Sequence, residues 1–340
     1  MTILTLLGIS FIGALILAFV GDRKFAPEIN IVCSFATFVA SIVLALQVHQ
    51  DGPFVAGGKF FLIDALNVYL VVLTSFVSMT TAIFSRPYMR REREHGRVGH
   101  WGMRFYHAMF QLFIFAMFLC LLTNNVGVLW IAMELATLST VLLVSLYRTP
   151  SAIEAAWKYF ILCGVGIALA LFGTVLLYFA AEKVLGEGGD ALLWTNLSQV
   201  SGQLEPTVLR LAFVFLMVGY GTKVGLVPLH NWLPDAHAEG PTPISAVLSG
   251  LLLNIALYAL VRCKVIVDGS LKTHLAGNIM MGFGHKEDVL LFVHRAHGYS
   301  HLRIRTWRPH RHIRGAPPSA RPQPDKVLHI LHSGTCLPDA

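Results

Sequence analysis

This sequence predicts an all-α, polytopic bundle of membrane-spanning helices, one of them broken within the membrane. Hydrophobic residues make up 55% of the chain and charged residues only 13%, and the mean hydropathy of +0.63 is far above that of a water-soluble domain. Apolar runs of roughly 20 residues, the length that crosses a bilayer, recur along most of the chain. One of these runs carries a lysine only five residues ahead of a proline, in "KVGLVPLHNWLPDAHAEGPTP".

The runs fall at residues 2–20, 30–47, 62–84, 105–123, 126–147, 155–181, 207–228 and 241–262, with a weaker ninth starting near 274 and stopping early. The first has neither a basic leading region nor a small-residue cleavage site, so it reads as a permanent helix. Asp64 opens the third run and is expected to cap it. Cys33, Cys120, Cys163, Cys263 and Cys336 are scattered without CxxC pairing. They suggest no disulfide framework, zinc site or iron–sulfur cluster. Neither cofactor nor metal is expected, and electron transfer would belong to another chain. With no glycine motif to cradle a cofactor, the chain does not read as an enzyme in its own right.

Orientation follows from the arginines. The stretch 86–104, "RPYMRREREHGRVGHWGMR", is read as a basic loop, while 182–205 on the other side is acidic. The positive-inside rule places the basic loop in the cytoplasm, the N-terminus outside and "HNWLPDAHAEGP" inside.

Two ionisable residues lie within apolar runs: Glu134 in "VGVLWIAMELATLSTVLLV" and Lys223 in "LAFVFLMVGYGTKVGLVP". A charge at the bilayer centre costs about 2.5–3.5 kcal/mol on insertion scales, so such groups face the protein interior and pair with or transfer something. For Lys223 the competing reading is snorkelling toward the interface. For Glu134 it is a protonated acid hydrogen-bonded at a helix contact. Pro228 lacks an N–H and crowds the carbonyl of Val224, and Gly219, Gly221 and Gly225 loosen the same stretch. A helix broken at membrane depth is tolerated only where the freed backbone lines a polar cavity. Lys223 then stands beside that cavity, where burial penalises the charged forms of both residues and makes proton exchange feasible.

Other polar residues carry weaker signals. Lys158 reads as an interfacial anchor that could also join the relay. His230, Asp235 and His237 could form a proton-entry funnel, a metal site or a plain solvated loop; Pro234 is expected to interrupt the segment, so no helical face aligns them. Asn254, mid-helix in "GLLLNIALYAL", could hydrogen-bond across a helix contact or hold a water.

"KVGLVPLHNWLPDAHAEGPTPISAVLSGLLLNIALYALVR", containing the pattern PLHxWLPDAHxxxPxPxSAxL, and the upstream "WIAMELATLSTVLLV" resemble the antiporter-like proton-translocating subunits of respiratory complex I, Mrp cation/proton antiporters and membrane-bound [NiFe] hydrogenases. The resemblance covers residues 1–284. It implies a fold of about fourteen transmembrane helices in two inverted five-helix repeats, each with a broken helix. It also implies that Glu134 matches the family's glutamate on the fifth helix and Lys223 its lysine on the broken seventh. Where many complex I subunits carry a lysine on the eighth helix, this chain has Asn254. With "GMRFYHAMFQLFIFAMFL" and "GNIMMGFG", this makes the chain similar to hydrogenase-4 component F and its formate hydrogenlyase relatives.

The organisation implied is helices 1 to 3 with the basic loop over 1–103, the first five-helix proton-channel repeat over 104–264, a remnant of the ninth helix over 265–284, and a tail over 285–340. That tail is rich in His, Arg and Pro. Taken at face value it could bind metal, anionic lipid or nucleic acid. A shifted reading frame accounts for it better: codons exist for "KEDVLLFVHRAHGYS" that, read one nucleotide later, spell "KRMFSYSSIEHMGI", and "PDKVLHILHSGT" likewise yields "LTKSSIFFTVGH". Both hidden strings resemble later helices of the family. The C-terminal half of the fold is then truncated, and the tail is expected to be irregular, with no nucleic acid as partner. The expected function is that of a truncated proton-translocating, non-redox membrane subunit of an oxidoreductase in the cell inner membrane. Its expected partners are the lipid bilayer, other membrane subunits of a hydrogenase or complex I-like assembly, and a [NiFe] peripheral arm. The alternatives are an Mrp-type sodium/proton antiporter subunit and a structural anchor without transport.

Overall fold

The computed structural model describes residues 2–271 and 275–283. The expected tail, 285–340, lies outside the described residues. Among them, eight helical spans are long and apolar enough to cross a membrane. The first six are α1 (Thr2–Val20), α2 (Ala26–Asp51), α3 (Ala65–Glu94), α4 (His100–Leu122), α5 (Val126–Val144) and α6 (Pro150–Leu185). A short α7 (Trp194–Val200) precedes the seventh span, α8 (Pro206–Val224), and α9 (Trp232–Glu239) follows it. The eighth span, Thr242–Ser270, joins α10 (Thr242–Val247), one π-helical turn (Leu248–Leu252) and α11 (Leu253–Leu271). The ninth run forms α12 (Leu275–Phe283).

Outward faces carry large apolar side chains such as Phe19, Phe35, Phe84, Ile131, Trp157 and Val165. In water that pattern would be a liability; against lipid it is the expected exterior. The chain is a multi-pass membrane protein.

Several boundaries differ from those read in the sequence. The basic stretch 86–104 is mostly helical, because α3 runs on through Pro87 to Glu94 and α4 starts at His100, leaving 95–99 as the link. Pro87 is tolerated inside α3. Arg86 and Arg90 are one turn apart on it and converge on Glu28 at 2.8 Å. This end of the molecule is called the basic end below. At the opposite end a hairpin of β1 (Phe54–Ala56) and β2 (Phe61–Ile63) pairs Val55 with Leu62. Gly57, Gly58 and Lys59 turn it with positive φ. Asp64 caps α3 as expected, exchanging hydrogen bonds with Asn67 at 2.9 Å in both directions.

The helix contact that positions the candidate site is that of α6 with α8. A Cβ on Gly219 would stand 2.6 Å from the carbonyl oxygen of Gly166 and from the Cβ of Ala170; one on Gly173 would stand 2.8 Å from the carbonyl of Ala212. These glycines let the backbones touch. Gly219, expected to loosen α8, instead locks it against α6.

Candidate functional site: a buried lysine at a helix break

Helix α8 ends at Val224 because Gly225 adopts the left-handed region (φ 76°, ψ 37°). Its N–H donates to the Thr222 carbonyl at 3.2 Å, and that of Leu226 donates to the Gly221 carbonyl at 3.0 Å. This pair of bonds is the Schellman arrangement. The break is therefore made at Gly225, three residues before Pro228, and not by Pro228 crowding Val224 as the sequence suggested. Pro228 sits within the non-helical stretch 225–231.

Another expectation also fails. Pro234 does not interrupt the following segment; it occupies the first turn of α9, where its missing N–H would have no intrahelical partner. Trp232, fully buried at the start of α9, donates from Nε1 to the Thr222 carbonyl at 2.8 Å. It thereby satisfies a carbonyl that the end of α8 leaves open.

Lys223, the penultimate residue of α8, is fully buried. Its Nζ donates to Thr137 Oγ1 on α5 and lies 5.9 Å from the centre of the Tyr159 ring on α6. Thr137 in turn donates to the Met133 carbonyl at 2.9 Å. Tyr159 shares a hydrogen bond with Thr140 at 2.8 Å and stacks on Trp232 at 4.5 Å with an interplanar angle of 16°. Lys223 is thus enclosed by α5, α6 and the start of α9.

Glu134 lies three residues before Thr137 on α5, hence on the same face. It is half-buried, and its Oε2 is buried without a hydrogen-bond partner. Such an orphaned acceptor marks a place for a proton or a water. Lysine, threonine and carboxylate together provide a donor, a relay hydroxyl and an acceptor.

The remaining predicted residues divide. Lys158, half-exposed, bonds Asp235 at 3.1 Å and Glu154 at 2.8 Å, so it clamps α6 to α9. His237 accepts at its carbonyl from Ser245 at 3.0 Å. His230 precedes α9, and its carbonyl accepts from the Leu233 N–H at 3.0 Å. Asn254 does not reach across a helix contact: its side chain is exposed and donates at 2.7 Å to the Gly250 carbonyl of its own π-helical turn.

Sequence reasoning missed Thr137, Tyr159 and Trp232 as the walls around Lys223. It also missed Arg262, which it took as the end of a span. Arg262 is buried, donates to Asp64 Oδ2 at 2.6 Å and to the Tyr258 hydroxyl at 3.0 Å, and lies 4.5 Å from the Trp194 ring. The tyrosine four residues ahead of it was the available signal.

A family model described as "NADH:quinone oxidoreductase/Mrp antiporter, TM" matches residues 123–282, which hold both Glu134 and Lys223. The chain is 49% identical over 274 residues to the hydrogenase-4 component F homolog of Methylacidiphilum infernorum, covering 81% of this chain and 56% of that one. It is 31% identical over 219 residues to NADH-quinone oxidoreductase subunit N of Polaromonas naphthalenivorans, covering 63% and 40% respectively. The chain thus spans about half the length of these relatives. A chain of the membrane-bound sulfane sulfur reductase, an archaeal respiratory membrane complex, shares its fold with TM-score 0.73 at 21% identity, over 83% of this chain and 57% of that one. Through residues 123–282, the chain belongs to the NADH:quinone oxidoreductase/Mrp antiporter transmembrane family.

Proposed function

We propose that this chain is the first half of a proton-translocating subunit in a hydrogenase-4, formate hydrogenlyase or complex I-like assembly, with Lys223 and Glu134 as proton-carrying groups. The observation that carries the reading is a lysine buried at a broken helix end, facing a threonine one turn from a glutamate with an orphaned oxygen. Supporting it are the relatives named hydrogenase-4 component F homolog and NADH-quinone oxidoreductase subunit N. Lys158, His230, Asp235 and His237 line the approach at the basic end, where protons enter from the cytoplasm. The exposed Asn254 faces the side on which the second half would pack. Other membrane subunits and a [NiFe] arm are the partners, in the inner membrane with the N-terminus outside.

The experiment is proton uptake by vesicles containing the complex assembled with a full-length version. Glu134→Gln should preserve assembly and abolish uptake. Undiminished uptake would remove Glu134 from the relay and favour a structural anchor. Replacing protons by sodium as the coupled ion in the same vesicles would favour an Mrp-type subunit.

A further inference from the structure

Away from Lys223, a second line of buried polar groups runs through α2, α3 and α4. On α2, Asn30, Ser34, Thr37 and Ser41 recur at spacings of four, three and four, one helical face. All four are buried. Ser75, Ser78 and Ser85 face them from α3, and His107 and Gln111 from α4, all likewise buried. Gln111 donates to Asn30 Oδ1 at 2.7 Å and to Ser34 Oγ at 3.0 Å. Ser78 donates to Ser34 at 3.4 Å, and Ser41 shares a hydrogen bond with Ser75 at 2.6 Å. A lipid-facing helix pair has no need of such a seam.

The groups in it are incompletely satisfied. Both ring nitrogens of His107, Nδ2 of Asn30 and Oε1 of Gln111 are buried with no hydrogen-bond partner. His107 is only 1% exposed. An imidazole always has at least one N–H to donate, and a buried polar atom left unpaired costs about 1–3 kcal/mol. Four such atoms on three neighbouring residues are what ordered water satisfies.

The line also has a mouth and a floor. At the basic end it meets Asp22 and Arg104, which pair at 3.3 Å, and Glu28 with Arg86 and Arg90. The Glu28 side chain is 39% exposed there, while its Oε2 and Arg104 Nε are also buried and unpaired. The Tyr106 ring stands edge-on to His107 at 5.2 Å. Beyond Ser41 and Ser75 the antiparallel pair continues with Leu44 and Val71, both fully buried and apolar.

We propose that α2, α3 and α4 enclose a blind, water-filled inlet, open at the basic end and closed beyond Ser41 and Ser75, in which His107, Asn30 and Gln111 bind ordered water. It brings solvent, and with it hydronium, to His107 at a place distinct from Lys223. It does not rest on the proton-relay reading of that other site.

The test is silver-ion access to cysteines introduced one at a time into the full chain in vesicles, with Cys33, Cys120, Cys163, Cys263 and Cys336 replaced by alanine. Modification is read as protection from later maleimide labelling in detergent. Ser34→Cys and Ser78→Cys should react at least about tenfold faster than Leu44→Cys and Val71→Cys, a ratio equivalent to about 1.4 kcal/mol of easier access. Equal rates at all four positions would overturn the inlet. A second measurement uses the sign of a stability change. If water satisfies the ring, His107→Leu or Gln111→Leu displaces it, strands the neighbouring amide and lowers the melting temperature. In a dry seam the same substitutions remove unpaired atoms and raise it, and a rise in both variants would equally overturn the proposal.

Discussion

Replacing Lys223 with methionine separates the energetic role of the lysine from its function. The side chain is fully buried and methionine is close to it in length and apolar throughout. Relief of the charge's burial contributes about 2.5–3.5 kcal/mol on insertion scales. Against this stand the lost hydrogen bond to Thr137, about 1.5–3 kcal/mol for a charged donor, and the lost interaction of a cation with the C-terminus of α8, about 0.3–1 kcal/mol. The terms nearly cancel, so Lys223→Met should stay within about 1.5 kcal/mol of the parent, a shift of no more than a few degrees. Thermal unfolding in detergent, followed by a thiol-reactive dye reporting exposure of the buried Cys120, Cys163 and Cys263, measures this directly. Proton uptake in vesicles should meanwhile be lost. If the variant is instead destabilised by more than about 3 kcal/mol, the value expected when a buried charge pair is broken, Lys223 holds the helices together and the near-cancellation is wrong.

Further outcomes are expected elsewhere. Lys223→Arg should also impair proton uptake, because guanidinium hardly releases its proton and its planar fork does not fit the single threonine acceptor; parental uptake by this variant would remove deprotonation of Lys223 from the mechanism. Gly219→Ala should force α6 and α8 apart at the 2.6 Å approach and cost about 1–3 kcal/mol as overpacking, so unchanged thermal unfolding would contradict the described contact. Arg262→Gln should destabilise the hairpin end by leaving Asp64 without its cation, while Arg262→Gln combined with Asp64→Asn should recover part of the loss; no recovery in that double variant would mean the pair is not coupled. The coding nucleotide sequence, read one base later from Lys286, should run through "KRMFSYSSIEHMGI" and continue as apolar helices past Ala340, and a closed frame there would refute the shift.

How far the site was legible in the sequence follows from the range over which each residue acts. The spans were legible because apolar length is a local property, as were Glu134 and Lys223, each a charge inside such a span. The cause of the break was misassigned because two residues compete for it within four positions. Proline announces itself in any sequence, whereas the left-handed turn at Gly225 shows only once the Gly221 and Thr222 carbonyls have found their partners. Thr137 and Tyr159 were illegible for a different reason: each is ordinary in its own helix, and only the approach of α8 makes it a neighbour of Lys223. Asn254 shows the opposite error. A mid-helix amide suggests a cross-helix bond, yet the π-helical turn frees a carbonyl within its own helix and the amide closes on that instead.

The α6–α8 contact decides between the two readings of Lys223, relay member or snorkelling anchor. A snorkelling lysine needs a stem free to extend along its helix toward the interface. Here Gly166 and Ala170 on α6 press against Gly219, and Gly166 also approaches Thr222 closely, so the last turn of α8 has no freedom to rotate. Trp232 closes the end of that turn through its bond to the Thr222 carbonyl, directly beside Lys223. The stem is left one direction, toward α5, and Nζ meets Thr137 near the middle of that helix, far from either end. The same packing that forbids snorkelling fixes where the ammonium group can hand on a proton. Thr137 is the hydroxyl within reach, and Glu134 is the carboxylate one turn farther along the same face.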